Sequence, residues 1–112
     1  MIRNSHSLVG VAALTVSLSS LMAPSYAAQA VIDQKGLKFV PNTMTINVGD
    51  TIRFTNSDPF THDVTVVGPS GTPSDKGLQH HGQDLTVTFP EKGTFSIICT
   101  FHPNMKATVI VK

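Results

Sequence analysis

The chain has 112 residues, with eight Lys and Arg against seven Asp and Glu, a 40% hydrophobic content, one cysteine and no tryptophan. That length suffices for one domain. The near balance of charge, without a run of either sign, argues against a nucleic-acid partner and against a charged tail.

The first thirty residues differ from the rest. Arg3 gives a positive start, residues 8–22 are apolar apart from Gly, Ser and Thr, and Ser25-Tyr26-Ala27 and Ala28-Gln29-Ala30 each end in a suitable cleavage site. Charge, apolar stretch and small-residue site in that order describe a secretory signal peptide. The apolar run is short for a helix that spans a membrane. We therefore expect a leader over residues 1–30, cut after Ala27 or Ala30, and a single exported domain over residues 31–112 without a membrane span. About eighty residues make a small core, which needs a disulfide, a metal or tight packing to be stable. An exported chain with one cysteine has no internal disulfide, so Cys99 is a free thiol, a link to another chain or a metal ligand.

Beyond the leader, the chain reads as short strands separated by turns. Residues 31–40 form an extended stretch, bent at Lys35-Gly36, with Leu37 and Phe39 on its apolar side and Pro41-Asn42 closing it. Residues 43–48 alternate, with Met44, Ile46 and Val48 on one face, which is the period of a half-buried strand. Gly49-Asp50 turns the chain into a strand over residues 51–55 that points Ile52 and Phe54 inward. Residues 56–60 are a loop by composition, and 62–67 are a β-branched strand with His62 where it leaves that loop. Residues 68–83, rich in Gly, Pro and Ser, are the stretch expected to lack regular structure. Strands follow over 84–89, 94–99 and 107–112, pointing Leu85, Val87, Phe89, Phe95, Ile97, Cys99, Ala107, Val109 and Val111 inward. Seven or eight short strands without a helix predict an all-β sandwich.

The loop between the last two strands is Cys99-Thr-Phe-His-Pro-Asn-Met105. It offers a thiolate, an imidazole and a thioether at three-residue steps, and His62 supplies a candidate second imidazole. Zinc sites usually repeat Cys or His, and calcium and magnesium favour oxygen. Two His, one Cys and a weak Met suit one copper ion cycling between Cu(I) and Cu(II). The expected metal ligands are therefore His62, Cys99, His102 and Met105, with the first three forming a trigonal plane and Met105 axial. Pro103 stiffens the turn. With all four positions filled by protein, little room remains for a substrate, which favours a carrier over an enzyme.

His62-Asp-Val64, Gly93-Thr-Phe95 and the Cys99–Met105 loop together resemble the small type 1 blue copper proteins of the cupredoxin family, above all amicyanin and its plastocyanin-like bacterial relatives. The resemblance runs from about Leu37 to the end of the chain. It implies a Greek-key sandwich with copper near one end. It also implies electron transfer in the periplasm, as a monomer, between redox proteins such as a dehydrogenase and a c-type cytochrome. Phe60, Phe101 and Pro103 would then form an apolar collar around the exposed edge of His102, as a route for electrons or as a shield from water. One departure stands out: Asp63 replaces the usual Asn after the first histidine. Its amide can still donate to the cysteine sulfur, and its carboxylate can accept from the Thr100 hydroxyl.

Two other readings remain beside electron transfer. A periplasmic protein that stores or delivers copper without redox turnover would use the same sulfur ligands, with His80-His81 assisting or holding a second metal. A thiol enzyme with a His base would leave Met105 without a role.

Overall fold

A computed structural model describes residues 27–112. Of the expected leader, residues 1–26 lie outside the described part. Nine strands form two sheets: β1 (Gln29–Gln34), β2 (Phe39–Val40), β3 (Thr43–Ile46), β4 (Thr51–Asn56), β5 (His62–Val67), β6 (Pro73–Gln79), β7 (Asp84–Thr88), β8 (Gly93–Ile98) and β9 (Lys106–Val111). One sheet has the order β2-β1-β4-β7 and the other β3-β9-β8-β5-β6. β1 runs parallel to β4 and β3 parallel to β9, while the other pairs are antiparallel. The all-β sandwich expected from alternation is the observed architecture.

The core lies between the sheets and is built from the inward residues of the alternating runs. Ile32, Ile52, Phe54, Val64, Ile97 and Val109 are fully buried, with Phe39, Val87 and Phe89 beside them. Phe39 meets Phe54 edge to face with ring centroids 6.3 Å apart, and Phe89 meets Phe95 likewise at 5.5 Å. Such pairs stabilise by about 1 kcal/mol beyond the area they bury.

Three expectations are corrected. The connection over residues 68–83 is not wholly irregular, because β6 forms within it as an edge strand paired to β5. Its polar sequence hid it, since an edge strand with one solvent face needs no apolar run and takes its order from the neighbouring ladder. Val48 is 42% exposed because β3 ends at Ile46 and the chain has already entered a turn. Leu37 is 41% exposed rather than on the apolar side. Gly36 and Leu37 occupy the tip of a tight hairpin at φ 65° and 61°, the geometry of a two-residue connection between twisted strands.

Candidate metal centre

β5 and β8 set the site. Thr65 pairs with Ile98, so the same antiparallel register carries Cys99 opposite Val64 and Thr100 opposite Asp63. Thus His62 at the start of β5 and Cys99 just past β8 reach the same end of the sandwich. The seven residues from Cys99 to Met105 then fold back in two turns: the His102 amide donates to Cys99 O at 3.3 Å, and the Met105 amide to His102 O at 2.9 Å. The Cys99 amide reaches Met105 O at 3.4 Å and closes the base of the loop.

These turns converge the side chains. The Nδ1 atoms of His62 and His102 stand 3.1 Å apart, and Cys99 Sγ lies 3.8 Å from the first and 3.7 Å from the second. Ligand bonds of about 2.0 Å to nitrogen and about 2.3 Å to thiolate, in a trigonal plane, separate nitrogen from sulfur by about 3.7 Å. The two nitrogen–sulfur sides therefore suit one first-row metal ion, while the 3.1 Å between the nitrogens is shorter than the roughly 3.5 Å of an even trigonal plane. His62, Cys99 and Met105 are buried and His102 is partly exposed. Among the described residues this is the one cluster of three or more His, Cys, Asp or Glu whose ligand atoms converge for a metal.

The sequence did not reveal Asp58. Its carboxylate accepts the His62 Nε2–H at 2.9 Å, together with the amides of Gly36 at 2.7 Å and Leu37 at 2.9 Å. Because a carboxylate only accepts, the imidazole proton sits on Nε2 and the Nδ1 lone pair faces Cys99 and His102. One side chain thereby fixes the tautomer of His62 and ties its loop to the β1–β2 hairpin. Burial opposes charge on Asp58, but the Leu37 amide, the His62 imidazole and the Gly36 amide outweigh it and hold the carboxyl below its ordinary range. A carboxylate four residues ahead of the histidine, within a Pro-containing loop, was the available signal.

Asp63 lies on the opposite side of β5. Its Oδ1 accepts the Thr100 amide at 2.7 Å and the Thr100 hydroxyl at 2.9 Å, and its Oδ2 accepts the Thr65 hydroxyl at 2.8 Å. The expected bond from Thr100 is present. Burial again opposes the charge, yet the Thr65 and Thr100 hydroxyls and the Thr100 amide draw the carboxyl below the ordinary range. At Cys99, burial pushes the thiol up and the Asp63 carboxylate adds to it, against the lowering effect of the nearby backbone amides of Asp63, Phe101 and His102. A metal cation at the triangle would favour the thiolate and displace that proton.

The exposed side of His102 faces an apolar rim. Phe60 is 51% and Phe101 55% exposed, and the Phe60 and His102 ring centroids are 6.4 Å apart. A cavity of about 350 Å³ beside them is lined by Leu37, Phe101, His102, Pro103, Asn104 and Met105. A larger one, about 520 Å³, touches none of the four expected ligands. His80 and His81 stay outside the cluster: His80 Nδ1 bonds the Thr61 hydroxyl at 2.9 Å, and His81 Nδ1 donates to Asp58 O at 3.0 Å. They brace the loop that carries His62 rather than converging on a second metal.

Comparison with known proteins agrees with this geometry. Residues 26–112 match the family described as copper binding proteins, plastocyanin/azurin family. An amicyanin from Paracoccus denitrificans is 33% identical over 84 residues, covering 73% of this chain and 64% of that protein. The chain thus spans a little under two thirds of that relative. A plastocyanin from Solanum crispum is 35% identical over 80 residues, covering 62% of this chain and 81% of that protein. Among solved structures, a reduced amicyanin variant superposes with a TM-score of 0.70 at 27% identity, covering 79% of this chain and 86% of its own. A Cu(I) form of another amicyanin variant gives 0.69 at 25%, covering 83% and 89%. The chain belongs to the plastocyanin/azurin family of copper-binding cupredoxins.

Proposed function

We propose that this protein is a one-electron carrier in which His62, Cys99, His102 and Met105 would hold a single type 1 copper. The observation that carries the proposal is the triangle of His62 Nδ1, Cys99 Sγ and His102 Nδ1, with sides of 3.1 to 3.8 Å. When bound, copper supplies the one-electron couple Cu(I)/Cu(II), and the donor set of two imidazoles, a thiolate and a thioether suits both oxidation states. The chain's own contribution is to keep those donors in place through the change. Asp58 holds the His62 ring, the amides of Asp63, Phe101 and His102 stabilise negative charge on sulfur, and the closed loop holds Cys99 and Met105.

Electrons enter and leave at His102, the partly exposed imidazole, through a partner seated on the rim of Phe60, Phe101 and Pro103. The buried ligands offer no comparable contact with solvent. The partners are redox proteins met in the periplasm after export, and a dehydrogenase and a c-type cytochrome are the pair that family resemblance suggests. No catalytic step is assigned to the chain.

Voltammetry of the copper-loaded protein tests this reading when paired with a Cu(I) chelator challenge. A reversible one-electron wave with copper retained against the chelator is the expected result. Rapid loss of copper without a reversible wave would replace electron transfer by copper storage or delivery.

A further inference from the structure

A buried carboxylate is costly unless it is paired. Asp50, in the turn between β3 and β4, is only 8% exposed. Its Oδ2 accepts the Asn47 amide at 2.9 Å, and its Oδ1 accepts the backbone nitrogen of Ala28 at 3.0 Å. Among the described residues the ion pairs are Arg53–Asp84 and His62–Asp58, so Asp50 has no cationic side chain as partner. Ala28 is pinned from its other side as well, because its carbonyl accepts the Thr51 amide at 3.0 Å at the head of the parallel β1–β4 ladder. The residues immediately ahead of it are Ser25-Tyr26-Ala27, with the small Ser25 and Ala27 spaced as signal peptidases require.

We infer that the leader is cut between Ala27 and Ala28, and that the new α-ammonium group of Ala28 is the missing countercharge of Asp50. Hydrolysis of that peptide bond by water leaves a carboxylate on Ala27 and an amine on Ala28, which binds a proton at neutral pH. The nitrogen already sits at hydrogen-bond distance from the carboxylate, so processing turns a neutral amide donor into a charge-assisted one without moving the chain. The alternative cut after Ala30 does the opposite. It removes the Ala28 carbonyl, the Gln29–Thr51 and Ala30–Ile52 register pairs, and the side chain of Ala30 that packs against the core. Cleavage after Ala27 preserves all of β1 and completes an ion pair that staples it to the β3–β4 turn.

Two measurements on metal-free protein test this, and neither involves copper chemistry. The full chain, expressed with its own leader in a Gram-negative host, is recovered from the periplasm and weighed intact. The expected mass is that of residues 28–112; a chain starting at Val31, or one left uncut, overturns the inference. Thermal midpoints are then compared for the chain starting at Ala28 and for one with Gly-Ser added ahead of Ala28, each with and without Asp50→Asn. The extension keeps the amide donor but moves the charge away. Asp50→Asn is expected to lower the midpoint by about 4 °C more in the chain starting at Ala28 than in the extended one. Equal losses would show that Asp50 caps backbone amides only. Should Asp50→Asn fail to fold, the two N-termini decide alone: the extension lowers the midpoint if the ion pair exists and leaves it unchanged if it does not.

Discussion

The site joins two imidazoles held in opposite ways. His62 is fully buried on β5, and its far nitrogen is held by Asp58, which in turn holds the β1–β2 hairpin. His102 sits in a seven-residue loop, partly exposed, with an apolar rim rather than a carboxylate beside it. Identical side chains therefore sit in opposite settings: one is built into the frame, and the other is open to solvent. The difference arises from topology, because a strand start lies beneath neighbouring elements whereas a loop at the sandwich end is open to solvent.

Replacing each histidine by glycine separates the two settings most sharply. His102→Gly leaves a gap open to solvent, so added imidazole should restore the copper–thiolate colour. His62→Gly leaves a closed gap, and the same addition should restore little; equal rescue at both positions would erase the distinction. A smaller effect is expected from Asp58→Asn, which keeps the shape and removes the charge that holds the His62 ring. Copper affinity measured by chelator competition should fall about 10- to 100-fold, whereas an unchanged affinity would make Asp58 a brace for the hairpin alone.

Acid should weaken the frame through its two buried carboxylates. Asp58 and Asp63 both have carboxyls held below the ordinary value of 3.8 in the folded protein. Groups shifted downward stabilise the fold above their unfolded pKa, and that contribution is lost as the pH falls through the folded one. The thermal midpoint of metal-free protein should therefore drop as the pH falls below about 4, and less steeply in Asp63→Asn. The smallest effect concerns the potential. A buried negative charge at Asp63 favours Cu(II), so Asp63→Asn should raise the reduction potential, by less than about 60 mV, the equivalent of a tenfold shift for one electron. A fall would reverse the assigned sign.

How much of this could be read from the chain depended on whether a feature was local. The donor loop, with Cys99, His102 and Met105 at fixed spacing, is local, and strict alternation exposed β3, β7 and β8. His62 needed a longer step, since only the copper donor set called for a second imidazole. Asp58 lies only four residues ahead of His62, a local signal that was passed over, whereas its tie to the hairpin of Gly36 and Leu37 was not legible, because that contact spans more than twenty positions. β6 was hidden for a related reason: its order comes from pairing with β5 rather than from its own residues. Asp63 shows the intermediate case. Its departure from the family pattern was visible, and its carboxylate does receive the Thr100 hydroxyl, but the Thr65 contact depended on the fold.

The central claim is that Cys99 is an equatorial ligand of a redox-active copper. An optical spectrum of the purified domain loaded with Cu(II), before and after ascorbate, tests it most directly. A strong visible thiolate-to-copper band that bleaches on reduction and returns on oxidation is the predicted result. Copper bound without that band would contradict the claim, remove Cys99 from the oxidised site and put copper storage or delivery in place of electron transfer.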